Sequence, residues 1–118
     1  MKEELKRRTK SFAIDNFRLC RNLSNEFIDY KRQLIRCSSS VGANYRAACR
    51  AKSTKDFINK LKIVEEELDE ALFFNEIITE LAENLEPKWK EVHKEGDYLL
   101  AILVKSITTL KNNQTHNS

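Results

Sequence analysis

The chain has 118 residues, which suits one domain (residues 1–118) that can bury a core without disulfides or structural metals. Two glycines and one proline are too few turn formers for an all-β fold, and three irregularly spaced cysteines do not suit a secreted disulfide scaffold. No apolar run approaches the roughly 18 residues that a membrane span needs. We therefore expect a cytoplasmic helical protein, and its net charge of +3 alone says little about partners.

Apolar residues at helical spacing predict four helices, over residues 3–23, 25–51, 54–85 and 87–111, with a polar tail over 112–118. In the first helix Leu5, Phe12, Leu19, Cys20 and Leu23 mark one side, with Ile14 and Phe17 on adjoining positions. Ser24 or Asn25 is a suitable cap for the second helix.

The second helix has two contrasting faces. A core-facing stripe is predicted at Leu34, Cys37, Ser38, Val41, Tyr45 and Ala48. Gly42 costs about 1 kcal/mol relative to alanine inside a helix, which favours a close contact with a neighbouring helix at this point. A kink at Gly42 is the alternative.

The third helix, capped by Ser53 or Thr54 with Asp56, is apolar on two sides. Its main seam is Phe57, Leu61, Val64, Leu68, Ala71, Leu72, Asn75 and Ile78. A second seam, more than about 90° away, consists of Ile63, Phe74, Ile77 and Leu81. A lone bundle leaves one seam partly exposed, so we predict a homo-oligomer that uses the second seam as its interface.

The last helix starts at Pro87 or restarts after Gly96 with Asp97 as its cap. The breaks between the four segments are short, and short connections place successive helices antiparallel. The predicted fold is an all-α, up-down-up-down antiparallel four-helix bundle.

Charge is segregated along the chain. Residues 31–55 contain seven basic residues and no acid, whereas residues 65–70 contain five acids and no base. Arg32, Arg36, Arg46 and Arg50, the arginine stripe, fall within about 80° along about 27 Å of helix. With Lys52 and Lys55, they are candidates for phosphate contacts. Pairing of the stripe with the acidic third helix, within or between subunits, is the competing interpretation.

One acid differs from its neighbours. Glu65 lies beside the main seam, within reach of Asn44 or Arg46 on the second helix. A buried charge persists only when it is paired or hydrogen-bonded. Glu65 and Asn44 are therefore predicted to act as structural polar residues that set the helix register.

The sequence offers no catalytic machinery. No Glu-x-x-His motif of a di-metal bundle occurs, and the cysteine spacing fits no metal ligand pair. No glycine-rich phosphate loop and no nucleophile beside a histidine is visible. We expect no enzyme activity, no metal and no cofactor, and we interpret the cysteines as small buried hydrophobes.

The run Ser38-Ser39-Ser40-Val41-Gly42-Ala43-Asn44-Tyr45-Arg46, followed by Asp56-Phe57-Ile58-Asn59-Lys60-Leu61 and Ile63 to Ala71, resembles a bacterial family. It is similar to the four-helix bundle proteins encoded within intervening sequences of 23S ribosomal RNA genes. The resemblance implies that the chains assemble into a ring, commonly a pentamer. It also implies a structural relationship to the accessory variability determinant of diversity-generating retroelements. That relative works with a reverse transcriptase and binds nucleic acid. Phe73-Phe74-Asn75 stands where many relatives place a tryptophan, so the aromatic seam is kept and we expect its packing to differ from theirs.

Our leading hypothesis is a non-enzymatic homo-oligomeric bundle that binds RNA or DNA, with RNA the favoured identification of the ligand, through the arginine stripe with Lys52 and Lys55. The alternative is a protein-interaction scaffold or accessory subunit, for example of a reverse transcriptase, that does not itself contact nucleic acid.

Overall fold

The computed structural model describes the backbone of residues 1–117 and the side chains of residues 1–115. Within this part the chain forms α1 (Lys2–Arg21), a 3-10 turn (Asn25–Phe27), α2 (Ile28–Ala48), α3 (Thr54–Leu81) and α4 (Lys88–Asn117). Each helix packs against its neighbour in sequence, and α1 packs against α4. The result is the predicted all-α, antiparallel four-helix bundle, 53 Å long and 22 × 21 Å across.

Local chemistry sets where the helices begin. Ser24 Oγ accepts a hydrogen bond from the amide of Glu26, so it caps the 3-10 turn that precedes α2. Ser53 Oγ accepts from the amide of Asp56 at the start of α3. The predicted cap of α3 at Ser53 is confirmed, whereas Ser24, predicted to cap the second helix, caps only the 3-10 turn, and α2 begins at Ile28 with no side-chain cap.

Three predicted helix ends are wrong. The α2 helix ends at Ala48 instead of residue 51, because the chain tightens into a turn with hydrogen bonds three residues apart. The α3 helix ends at Leu81 instead of residue 85, since Ala82 is extended and Asn84 has a φ of 58°. The α4 helix runs unbroken past Gly96 and through most of the predicted tail, with Ser118 outside the described residues.

The core follows the predicted faces of α2 and α3. All six residues of the α2 stripe are buried, and so is the main α3 seam, except that Ile58 is buried where Phe57 was expected. On α1, Thr9 and Asn16 share the buried face with Leu5, Phe12, Leu19 and Cys20.

Gly42 marks the close approach of α1 and α2. A β-carbon built on Gly42 would lie 3.4 Å from the carbonyl oxygen of Thr9. The α2 helix continues on both sides of this residue, and the predicted close contact with α1 is present, at a distance that still admits a methyl group.

No helix in the described part of the chain has both the length and the apolar character needed to cross a membrane.

Candidate nucleic-acid interface

The arginine stripe lies on the solvent side of α2 and just beyond it. Arg32, Arg36 and Arg46 are exposed residues of α2, whereas Arg50 is exposed in the turn that follows Ala48. Lys52 is in the same connection, and Lys55 is in the first turn of α3. The predicted single-helix stripe is therefore three helical arginines continued by basic residues of a loop.

Arg36 is engaged by acids of α3. Its Nη2 lies 2.9 Å from Glu70 Oε1 and its Nη1 lies 3.4 Å from Glu67 Oε2. The Cys37 sulfur and the carboxylates of Glu70 and Glu67 raise the pKa of the Arg36 guanidinium, against the effect of desolvation. Pairing within the subunit thus holds for this one member of the stripe.

Three arginines of the stripe form no ion pair with the described side chains. Among the described side chains, no carboxylate comes within 4.0 Å of Arg32, Arg46 or Arg50. Lys55 also has no ion pair in this part of the chain, while Lys52 donates its backbone amide to Asp56 Oδ2 at 3.2 Å. Lys60 and then this Lys52 amide lower the pKa of the Asp56 carboxyl.

Cys37, Glu67 and Glu70 bring their ligand atoms within 4.8 Å of one another, which makes them a candidate cation site. Arg36 Nη2 lies 3.1 Å from Cys37 Sγ and already supplies positive charge there. Burial, reinforced by Glu70, raises the pKa of the Cys37 thiol to about 11. A metal ligand is the thiolate, which this environment disfavours.

The predicted link between Glu65 and α2 is wrong. The Asn44 side chain instead donates to the Ser40 carbonyl of its own helix at 2.9 Å. Glu65 lines a groove between α3 and α4 with Lys62 and Lys111, and its charge acts on the Lys111 ammonium. The acid is rotated toward α4, so neither Asn44 nor Arg46 pairs with it in the described structure.

The second seam of α3 is only partly exposed. The exposed fractions are 45% for Ile63 and 58% for Leu81, whereas Phe74 and Ile77 are half-buried. Phe74 lies against Tyr30 of α2, with ring centroids 6.4 Å apart. Phe73, beside this seam, is 57% exposed, and Tyr30 is 37% exposed.

Part of the predicted apolar side of α1 is exposed to solvent. Ile14 and Phe17, expected beside the core, are 39% and 50% exposed. They share the outward side of α1 with Lys10 and Arg21, which are exposed and have no ion pair among the described residues. Basic residues seven and four positions from Phe17 were the signal in the sequence for this surface.

His93 links α3 to α4. Its Nε2 lies 3.0 Å from Glu76 Oε2, and its Nδ1 lies 3.3 Å from Asp97 Oδ2. In the described part of the chain its ring makes no hydrogen bond to a serine, threonine or cysteine. The arrangement joins two helices and does not activate a nucleophile.

Comparisons with known proteins agree with this architecture. The family model described as 23S rRNA-intervening sequence protein matches residues 2–105. A crystal structure of a protein with unknown function from the S23 ribosomal protein family of Bacteroides thetaiotaomicron VPI-5482 is similar, with 28% identity and a TM-score of 0.81. The similarity covers 92% of this chain and 99% of that one. No curated protein matches the chain.

Proposed function

The chain belongs to the 23S rRNA-intervening sequence protein family, and we propose that it is a non-enzymatic, cytoplasmic homo-oligomer that binds RNA through its basic α2 face. The observation that carries the proposal is that Arg32, Arg46 and Arg50 are exposed and unpaired although α3 beside them is rich in acids. Such residues can neutralise phosphates without first breaking an ion pair.

The set of basic residues that we propose to bind RNA is smaller than the one predicted from the sequence. Arg36 would have to leave Glu67 and Glu70, so we remove it from the binding set. Arg32, Arg46, Arg50, Lys52 and Lys55 remain. Contacts of this kind are sequence-tolerant and weaken with salt.

Salt-titrated RNA binding tests the proposal. Arg46→Ala/Arg50→Ala is expected to lose at least about tenfold in affinity at about 50 mM salt. The matched control is Lys90→Ala/Lys94→Ala, which removes two exposed, unpaired charges from α4. Absence of binding by the wild type, or equal loss in both double variants, would contradict the proposal.

Self-association is supported by the outward side of α3. Ile63, Phe73 and Leu81 are about half exposed there, close to Glu66, Glu70 and Glu80. Apolar side chains ringed by charge are typical of an interface between copies. A ring would repeat the basic face and raise avidity about a hundredfold or more.

Multi-angle light scattering tests the oligomer separately. Ile63→Glu is expected to shift the wild-type oligomer toward monomer, because a carboxylate replaces an apolar contact. Val104→Glu is the matched control, since Val104 is 43% exposed and Ile63 is 45% exposed. A wild-type monomer at micromolar concentration would show that the second α3 seam is not an interface.

The second candidate function is a protein-interaction scaffold, such as an accessory subunit of a reverse transcriptase. The pairing of Arg36 with Glu67 and Glu70 favours this alternative, because this arginine then links α2 to α3 and is not available to phosphates. In this case the exposed α3 side chains recruit a protein. An oligomer that binds no RNA at low salt is the result this alternative predicts.

A further inference from the structure

We propose that α1 forms half of the binding surface and that Phe17 makes it selective for single-stranded RNA. This inference rests on the proposed function and deepens it, because it names the form of nucleic acid that the basic face takes. The surface, called the α1 face below, consists of Lys10, Ile14, Phe17 and Arg21.

The four side chains form one patch. At 100° per residue they fall within about 60° around α1, along about 17 Å of helix. Asp15 is the acid nearest them in sequence, and it points to the far side of the helix, about 130° from the patch centre. The α1 face is thus basic with an apolar centre.

The close packing at Gly42 places this patch beside the arginine stripe. Phe17 lies about 80° around α1 from the contact residue Thr9, and Arg32 lies about 80° around α2 from Gly42. On each helix this rotation leads from the α1–α2 contact toward solvent, away from the core. Arg36 lies about 120° from Gly42, which agrees with its pairing to α3 instead.

The antiparallel register brings Phe17 level with Arg32. Phe17 is about 12 Å from the Thr9–Gly42 contact along α1, and Arg32 is about 15 Å from it along α2, in the same direction. On the same scale Lys10 and Arg46 lie near the contact and Arg21 lies about 18 Å from it. The basic residues therefore lie along both sides of one track on the protein surface. The exposed ring of Phe17 lies within this track.

This combination fits single strands. Proteins that bind them combine a basic groove along the backbone with aromatic side chains on which unpaired bases stack. A duplex keeps its bases stacked internally and offers Phe17 no base face. Isolated apolar residues are common on protein surfaces, but Phe17 lies among unpaired cations and on no acidic face.

The probes are an unstructured single-stranded RNA of about 20 nucleotides and its duplex with the complementary strand, compared by fluorescence anisotropy at about 50 mM salt. The wild type is expected to bind the single strand at least about fivefold tighter than the duplex. Phe17→Ala is expected to lose about fivefold or more on the single strand only, and Phe17→Tyr to retain binding. Tyr98→Ala, which removes a 63% exposed ring from α4, is expected to change neither affinity.

A salt titration tests whether the basic residues of the α1 face contact RNA phosphates. Replacing Lys10 and Arg21 by glutamine is expected to reduce the slope of log affinity against log salt by about 1.4, since each single-strand contact contributes about 0.7. Lys90→Gln/Lys94→Gln, two unpaired cations of α4, should leave the slope unchanged. Circular dichroism confirms that each variant is folded.

Three results would overturn this inference while the proposed function stands: equal affinity for duplex and single strand, a Phe17→Ala variant that binds as the wild type does, or one that dissociates the oligomer in light scattering. The last result would assign Phe17 to a contact between copies. Failure of the proposed function looks different, because then Arg46→Ala/Arg50→Ala has no effect or no RNA binds at all.

Discussion

The backbone of Thr9 passes so close to Gly42 that a β-carbon there would lie 3.4 Å from the Thr9 carbonyl oxygen. This distance is an ordinary contact for a methyl group, whereas a larger side chain meets backbone that cannot rotate away. Gly42→Ala is therefore expected to stabilise the bundle by up to about 1 kcal/mol through helix propensity. Gly42→Leu is expected to destabilise it by about 1–3 kcal/mol, and urea unfolding measures both changes.

Gly96 provides the contrasting case. A β-carbon at Gly96 would lie 2.6 Å from Leu72 Cδ2 and 3.1 Å from Phe12 Cε1, so both core side chains have to shift. Gly96→Ala is expected to lower the unfolding free energy by about 1 kcal/mol, because overpacking exceeds the propensity gain. If Gly96→Ala matched Gly42→Ala in urea unfolding, the packing around Gly96 would be loose enough to admit a methyl group without a shift of Leu72.

Asn84 tests the α3–α4 connection. Its φ of 58° is in the left-handed region, where asparagine and glycine are tolerated and other residues pay about 1 kcal/mol or more. Asn84→Ala is expected to lower the thermal midpoint, and Asn84→Gly to leave it nearly unchanged. Equal effects of the two substitutions in calorimetry would argue against this backbone conformation.

Asn75 is expected to be replaceable with a gain in stability. Its side chain is 2% exposed, and its Oδ1 has no hydrogen-bond partner within the described structure. Leucine has the same branching at Cγ and no polar atom to desolvate, so Asn75→Leu should stabilise by about 1 kcal/mol or more. Asn44→Leu is the control, since the Asn44 amide donates to Ser40. A lower urea midpoint for Asn75→Leu would mean that the amide is satisfied.

The buried thiols predict a loss of stability in alkali. Burial raises the pKa of Cys20 and of Cys37 from 9.0 to about 11. Because both folded-state values exceed the unfolded value, the stabilisation is complete below pH 9.0 and is lost as the pH rises toward 11. Urea midpoints across this range should fall less for Cys20→Ala/Cys37→Ala than for the wild type, and an identical fall would contradict the assignment.

Periodicity predicted the inner faces well, because burial of apolar residues depends on helix geometry alone. The stripe from Leu34 to Ala48 and the seam from Leu61 to Ile78 needed no knowledge of neighbouring helices. Helix ends were harder to predict. The turn after Ala48 and the left-handed Asn84 each depend on local hydrogen bonds that compete closely with one more helical turn.

Polar partners were the least predictable feature. Glu65 faces α2 or α4 according to how α3 is rotated about its own axis. The rotation that separates the two cases displaces the carboxylate by less than the length of a glutamate side chain. The same rotation brings Glu67 and Glu70 to Arg36 and leaves Arg32 and Arg46 unpaired. The exposure of Phe17 likewise depends on how α1 sits between α2 and α4, which one helix's sequence pattern does not specify.

The separation of basic residues on the α1–α2 side from acids on α3 gives the molecule an electric dipole across its width. Along the long axis the macrodipoles of antiparallel helices oppose one another and largely cancel. The transverse dipole is spread over a bundle 22 × 21 Å across, about two Debye lengths or more at physiological salt. An approaching polyanion is therefore turned toward the α1–α2 side before contact, and salt should slow association far more than it speeds release.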